Sequence, residues 1–133
     1  MRLTSGDRLL IHELMALHGH LIDHGELDRL DEVFTADVVY DLRDFALGEL
    51  HGIDAITRAS LELGDANPLG HHVTNVVVAD VRDDGVRVLS KGIGIRRDGS
   101  CGTVVYDDIV RRTPDGWRIA RRTVVARRAP LRR

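Results

Sequence analysis

Cysteine appears once in the 133 residues, as Cys101. A single thiol excludes an intramolecular disulfide and a thiolate metal cluster. It suits a reducing compartment, so a cytoplasmic location is expected. Aromatic residues are almost as scarce: Phe34, Tyr40, Phe45, Tyr106 and Trp117 are too few for a base-stacking platform. No nucleic-acid-binding motif accompanies them. No apolar run approaches the ~20 residues of a membrane span, and no apolar signal segment follows Met1. Neither a nucleic acid nor a membrane is therefore an expected partner.

What remains is an ordinary globular mixture, 43% hydrophobic and 30% charged. A single domain of this length buries roughly two thirds of its unfolded surface and needs no disulfide. The net charge of −2 conceals a division. Residues 1–85 hold 6 basic and 17 acidic side chains, and residues 86–133 hold 13 and 4. Lys91 is the one lysine, so the basic half is arginine-laced, as a sheet paired within one fold would be.

Helical periodicity comes first along the chain. Thr4 or Ser5 can cap a helix with Leu9, Leu10, Leu14, Leu17, Leu21 and Ile22 at helical spacing. Gly19 weakens it internally, and Gly25 suits its C-terminal end. Glu26 to Phe34 reads as a second short helix, Val38–Leu42 as a strand, Gly48–Gly52 as an extended piece and Ile53–Leu63 as a third helix. After Pro68 the chain turns to strands over 71–81, 86–97, 102–112 and 117–126. They are separated by Asp83-Asp84-Gly85, Asp98-Gly99-Ser100 and Pro114-Asp115-Gly116. Gly92 and Gly94 alternate along one of them and mark sharp curvature. Helices ahead of a long antiparallel meander predict an α+β domain. The helices lie across a strongly curved sheet, giving a cone with an internal pocket. The domain is expected over 1–126, with an arginine-rich tail over 127–133.

The ordered segments Asp7-Arg8-Leu9-Leu10-Ile11-His12-Glu13-Leu14, Ile22-Asp23-His24-Gly25-Glu26-Leu27-Asp28, Val33-Phe34-Thr35-Ala36-Asp37, Gly52-Ile53-Asp54-Ala55-Ile56, His71-His72-Val73-Thr74-Asn75 and Asp115-Gly116-Trp117-Arg118-Ile119 resemble the SnoaL-like branch of the nuclear transport factor 2-like superfamily. The resemblance spans nearly the whole chain. It implies the conical fold and a homodimer or homotrimer built through the outer face of the sheet. Arg87, Arg97, Arg112 and Arg118 are expected on that outer face, with Asp108 as an acidic counterpart. Members include polyketide cyclases, ketosteroid isomerase, limonene epoxide hydrolase, scytalone dehydratase and small subunits of aromatic-ring dioxygenases, so fold alone does not give function.

In the dehydratase-like members a late Asp of the first helix pairs with a His at the start of the first long strand. The resemblance carries these roles to Asp23 and His71. The chemistry is sound in itself: a carboxylate fixes an imidazole tautomer and stabilises the imidazolium, and such a base removes a proton from carbon. His72 faces opposite to His71 by strand alternation, and a one-residue bulge would exchange them. His18 is a candidate acid for a departing hydroxyl, at a position where relatives hold Tyr or Lys. Asn75 shares a face with His71 by alternation and is a candidate substrate-binding residue. Arg122 matches a pocket arginine of the dehydrochlorinase members. Parity sets Arg122 against the Trp117–Ile119 face, so either Arg121 or Arg122 points inward, and Asp107 is a candidate partner. Tyr40 and Tyr106 can donate hydrogen bonds to a substrate oxygen. Cys101 is expected to be inert. His20 and His24, one turn apart, match no metal motif, and neither metal nor cofactor is expected.

The function these residues suggest is a cofactor-independent lyase or isomerase acting on a small apolar oxygenated ring compound. Its rivals are a polyketide or terpenoid cyclase, an epoxide hydrolase, and a non-catalytic binding or assembly module.

Overall fold

A reciprocal pair starts the first helix. The Thr4 hydroxyl accepts the Asp7 N–H at 3.0 Å, and the Asp7 carboxylate accepts the Thr4 N–H at 2.9 Å. In this computed structural model, which describes residues 1–131, the helix α1 spans Ser5–Asp23. Arg132 and Arg133, the last two of the expected tail, lie outside the described residues. The buried stripe of α1 is Ile11, Leu14, Met15, His18, Gly19 and Leu21. Leu9 and Leu10, expected within the stripe, are exposed. Gly25, with φ 69°, turns the chain away from the helix end.

The expected second helix is a 3-10 turn over Leu27–Glu32, because the chain becomes extended at Phe34. The strands are β1 (Phe34–Asp41), β2 (Glu49–His51), β3 (Gly70–Arg82), β4 (Gly85–Ile95), β5 (Cys101–Thr113) and β6 (Gly116–Ala126), with helix α2 at Ile53–Leu63. They form one curved, unclosed sheet in the order β2-β1-β6-β5-β4-β3. The four long strands make the expected antiparallel meander, but β1 runs parallel to β6, so the sheet is mixed. The fold is the α+β cone of the nuclear transport factor 2-like type.

Two bulges decide which side chains enter the cone. On β3, Asn75 and Val76 together oppose Ser90, and Asn75 takes φ 56°. On β6, Ala120 is the extra residue between Ile119, opposite Val110, and Arg121, opposite Ile109. Trp117, Ile119, Arg122 and Val124 thereby fall on one face, all buried. The core joins Ile11, Leu14 and Met15 of α1 to Val86, Val88, Val110 and Ile119 of the sheet.

The uneven charge along the chain is used locally. Asp7 on α1 pairs with Arg112 at 3.2 Å, Asp41 and Glu49 with Arg121 at 2.7 and 3.0 Å, and Asp44 with Arg128 at 3.4 Å. Where the arginine head is exposed, as in the Asp7–Arg112 and Asp44–Arg128 pairs, each contributes about 0–1 kcal/mol and orients the front half on the sheet more than it stabilises it. Asp41, in contrast, is buried. Arg43 and Arg121 hold the Asp41 carboxyl well below the usual carboxylate range. The expected outer row of arginines is only partly there. Arg87 pairs with Asp107, whereas Arg112 stacks on Trp117, Arg118 donates to the Asp31 carbonyl, and Arg97 lies beyond the end of β4. Asp108, expected on the outside, is completely buried.

Candidate active site

The last turn of α1 and the first residues of β3 meet because residue 19 is glycine. A Cβ there would sit 2.7 Å from the His71 carbonyl oxygen. The close approach sets Asp23 against His71. The Asp23 carboxylate accepts the His71 backbone N–H at 3.0 and 3.1 Å, and its Oδ1 lies 2.6 Å from His71 Nδ1. An ionised carboxylate only accepts, so Nδ1 carries the proton and Nε2 keeps a lone pair on the far side of the ring. Nε2 makes no hydrogen bond to a described residue. His71 is the inward member of its pair, and His72 is exposed.

His71 lines a partly open cavity of about 200 Å³ between α1, α2 and the sheet. Its polar lining is His18, Tyr40, Ser60, Asn67, His71 and Tyr106, and aliphatic side chains such as Leu50 and Ile56 form the rest. That volume is below the ~300–1,000 Å³ of drug-sized sites and suits a single substituted ring. A larger concavity of about 560 Å³ lies outside, along α1 and the β5–β6 turn. Its one histidine, His20, is not bonded to a carboxylate.

Behind the lining residues His18 and Tyr106, and not itself lining the cavity, Arg122 is fully buried and forms a two-pronged pair with Asp108, with both N···O distances 2.8 Å. The partner is Asp108 and not the expected Asp107, which faces outward to Arg87. The guanidinium lies over the Tyr106 ring, 4.0 Å from its centroid, and its third branch reaches His18 Nδ1 at 3.2 Å. Burial opposes charge on both members: it pushes the Asp108 carboxyl up, and Asp108 in turn keeps Arg122 cationic. Tyr106 fits because residue 92 is glycine; a Cβ at Gly92 would lie 2.6 Å from the Tyr106 ring.

His18 is buried beside Phe34, its ring centroid 6.5 Å from that of His71 and 6.4 Å from that of Tyr106. Burial, with the Arg122 charge and then His71 adding to it, holds its imidazole well below the ordinary 6.5. The expected acid is thus a neutral ring near pH 7. Burial likewise raises the hydroxyls of Tyr40 and Tyr106, so both stay protonated donors. Asn75 does not belong to this group. The β3 bulge turns it to solvent, correcting its expected place on the inner face.

Three contributors carry no site role in the sequence reading. Asp108 shares the β5 inner face with Tyr106 by simple alternation, which is the signal that marks it. Asn67 donates to the Ser60 and Gly64 carbonyls at 2.9 Å each and leaves its Oδ1 free beside the cavity. Gly19 reads in the sequence only as a helix weakness. Among the described residues no cluster of three or more His, Cys, Asp or Glu side chains is arranged to hold a metal. His20 and His24 merely lie with ring centroids 6.2 Å apart near the helix end. Cys101 is a free, exposed thiol. No helix among the described residues is long and apolar enough to cross a membrane.

Residues 4–123 match the SnoaL-like domain family. The chain belongs to the SnoaL-like family. Uncharacterised proteins of Mycobacterium tuberculosis and Mycobacterium bovis are each 36% identical to it over 126 residues, covering 87% of this chain and 82% of theirs. Among solved structures, a candidate aromatic ring hydroxylase from Novosphingobium aromaticivorans is 30% identical, with a TM-score of 0.80 over 96% of this chain and 94% of that one. A nuclear transport factor 2-like protein with a cystatin-like fold from the same organism is 25% identical, with a TM-score of 0.77 over 95% and 85%. The inner cavity is thus the interior of a SnoaL-like cone.

Proposed function

We propose that this SnoaL-like protein is a lyase or isomerase in which His71 removes a proton from carbon and Asp23 orients it. The observation that carries this reading is the 2.6 Å contact between Asp23 Oδ1 and His71 Nδ1 at the cavity wall. The contact leaves Nε2 as the free basic atom. Asp23 stabilises the imidazolium formed when Nε2 takes the proton, and the imidazolium then returns it to a departing hydroxyl or to another carbon. Such positioned proton transfer contributes about 10²–10⁴-fold. Tyr40 and Tyr106 donate to substrate oxygen, and Arg122, packed against the Tyr106 ring, holds that side chain in place. The dyad supplies the proton transfer without a cofactor.

The small aliphatic cavity favours a compact, oxygenated ring compound, and the hydroxylase-like structural relative agrees with a ring-shaped ligand. The free thiol of Cys101 supports work in a reducing cytoplasm. Residues 1–126 act as the one domain in this reading. It assembles as a homodimer or homotrimer through the outer sheet face, where Val77, Ile93 and Ile95 are exposed. The test is turnover of a panel of cyclic β-hydroxy ketones. The wild-type protein and His72→Ala dehydrate a member of the panel, and His71→Ala, still folded by circular dichroism, does not. Turnover by His71→Ala at the wild-type rate overturns the assignment.

A further inference from the structure

Arginine offers only donors, so the 3.2 Å contact between Arg122 Nη1 and His18 Nδ1 is one in which His18 accepts. Nδ1 must then hold a lone pair, which places the ring proton on Nε2. Asp108 makes the arrangement rigid. It takes the other two guanidinium prongs at 2.8 Å each, within a region where Arg122 and Asp108 are wholly excluded from solvent. The Tyr106 ring under the guanidinium and the Met15 sulfur, 3.6 Å from Nη2, close the remaining directions. His18 Nε2 lies across the ring from Arg122. It makes no hydrogen bond to a described residue, and its ring lines the cavity that also holds His71.

We propose that the Asp108–Arg122 pair locks His18 as the Nε2–H tautomer, and that this N–H binds a carbonyl oxygen of the substrate, so that the ligand is a small ring ketone. The proposal rests on His71 being the base. When His71 Nε2 takes the proton from the carbon beside the carbonyl, the C–H electron pair becomes the new carbon–carbon π bond. The carbonyl π pair moves onto oxygen. His18 donates a hydrogen bond to that oxyanion and transfers no proton, since a neutral imidazole is too weak an acid for the task. Arg122 and Asp108 act through His18 and do not touch the substrate. They are positioning residues.

Two readouts test this apart from turnover. Two-bond ¹H–¹⁵N correlation spectra of the histidine-labelled protein between pH 5 and 8 are expected to show His18 with an unprotonated Nδ1 and a protonated Nε2 throughout. Arg122→Gln is expected to lose that signature and Arg122→Lys to retain it. In the second readout 4-nitrophenolate, a planar ring oxyanion, is titrated and read by its absorbance. His18→Leu is expected to weaken its binding about ten-fold or more, as loss of a hydrogen bond to a charged group does, and His18→Gln, which keeps an N–H, to restore part of it. A His18 protonated on Nδ1, or equal probe binding by wild type and His18→Leu, overturns the proposal. These outcomes are independent of the His71→Ala turnover test, so a failed base assignment and a failed donor assignment are told apart.

Discussion

Gly19 and His71 touch backbone to backbone, with space for no side-chain carbon between the helix and the strand: a Cβ on Gly19 would come within 2.7 Å of the His71 carbonyl oxygen. The contact places His18 and Asp23, on either side of Gly19 in the same helix, against the start of β3. An exposed mid-helix Gly→Ala change would favour the helix by up to about 1 kcal/mol. Here the clash is with backbone, which cannot swing away. Gly19→Ala is expected to destabilise the fold by roughly 1–3 kcal/mol, as overpacking does, and to part Asp23 from His71. Denaturant titration and the loss of the downfield Nδ1 proton signal of His71 check it.

The Arg122–Asp108 pair is buried on both sides, so removing one member leaves an uncompensated charge. Asp108→Ala is expected to cost about 3–5 kcal/mol of stability. The double change Arg122→Met with Asp108→Leu is expected to recover most of the loss while abolishing the His18 arrangement. Urea unfolding of the two variants measures the stability, and the two-bond ¹H–¹⁵N spectrum of His18 reads the arrangement.

Stability falls on the acid side because of His18. Its folded imidazole titrates below the ordinary value of 6.5, so between these two points the unfolded chain binds a proton that the folded one refuses. The contribution is complete above about pH 6.5 and is lost progressively as the pH drops beneath it. The slope it adds approaches 1.4 kcal/mol per pH unit, roughly one proton. His18→Gln is expected to remove that slope from urea midpoints measured between pH 7 and pH 5.

Asn75 provides the counter-case. At φ 56° in an exposed bulge it carries backbone strain and no pocket role. Asn75→Gly is expected to be neutral or slightly stabilising, and Asn75→Val to cost about 1 kcal/mol, with catalytic turnover unchanged in both. Thermal melts paired with rate measurements decide it.

The same bulges explain what could be read in the sequence. The order of elements and the meander depend on helical spacing and turn residues, all visible in the chain. The facing of Asp23 and His71, in contrast, is legible only through the resemblance to the SnoaL-like family. Which of Arg121 and Arg122 turns inward depends on one extra residue, Ala120, which shifts every later side chain of β6 to the other face. No residue type announces such an insertion. Asn75 came nearer to doing so, since asparagine is among the few residues that accept positive φ. The buried stripe of α1 begins at Ile11, and helical spacing alone does not separate it from the exposed Leu9 and Leu10 beside it. Asp108 was assigned to the outer face although its alternation with Tyr106 places it inside. The parallel β1–β6 pairing joins strands far apart in the chain, and local pattern is silent on it.

Exchange of carbon-bound protons with D₂O tests the role of His71 most directly, because it follows proton abstraction even where no elimination completes. With a panel of cyclic ketones followed by ¹H NMR, the wild-type protein and His72→Ala are expected to wash deuterium into the position beside the carbonyl. His71→Ala is expected to be slower by about 10²–10⁴-fold. Exchange at the wild-type rate in folded His71→Ala contradicts the account.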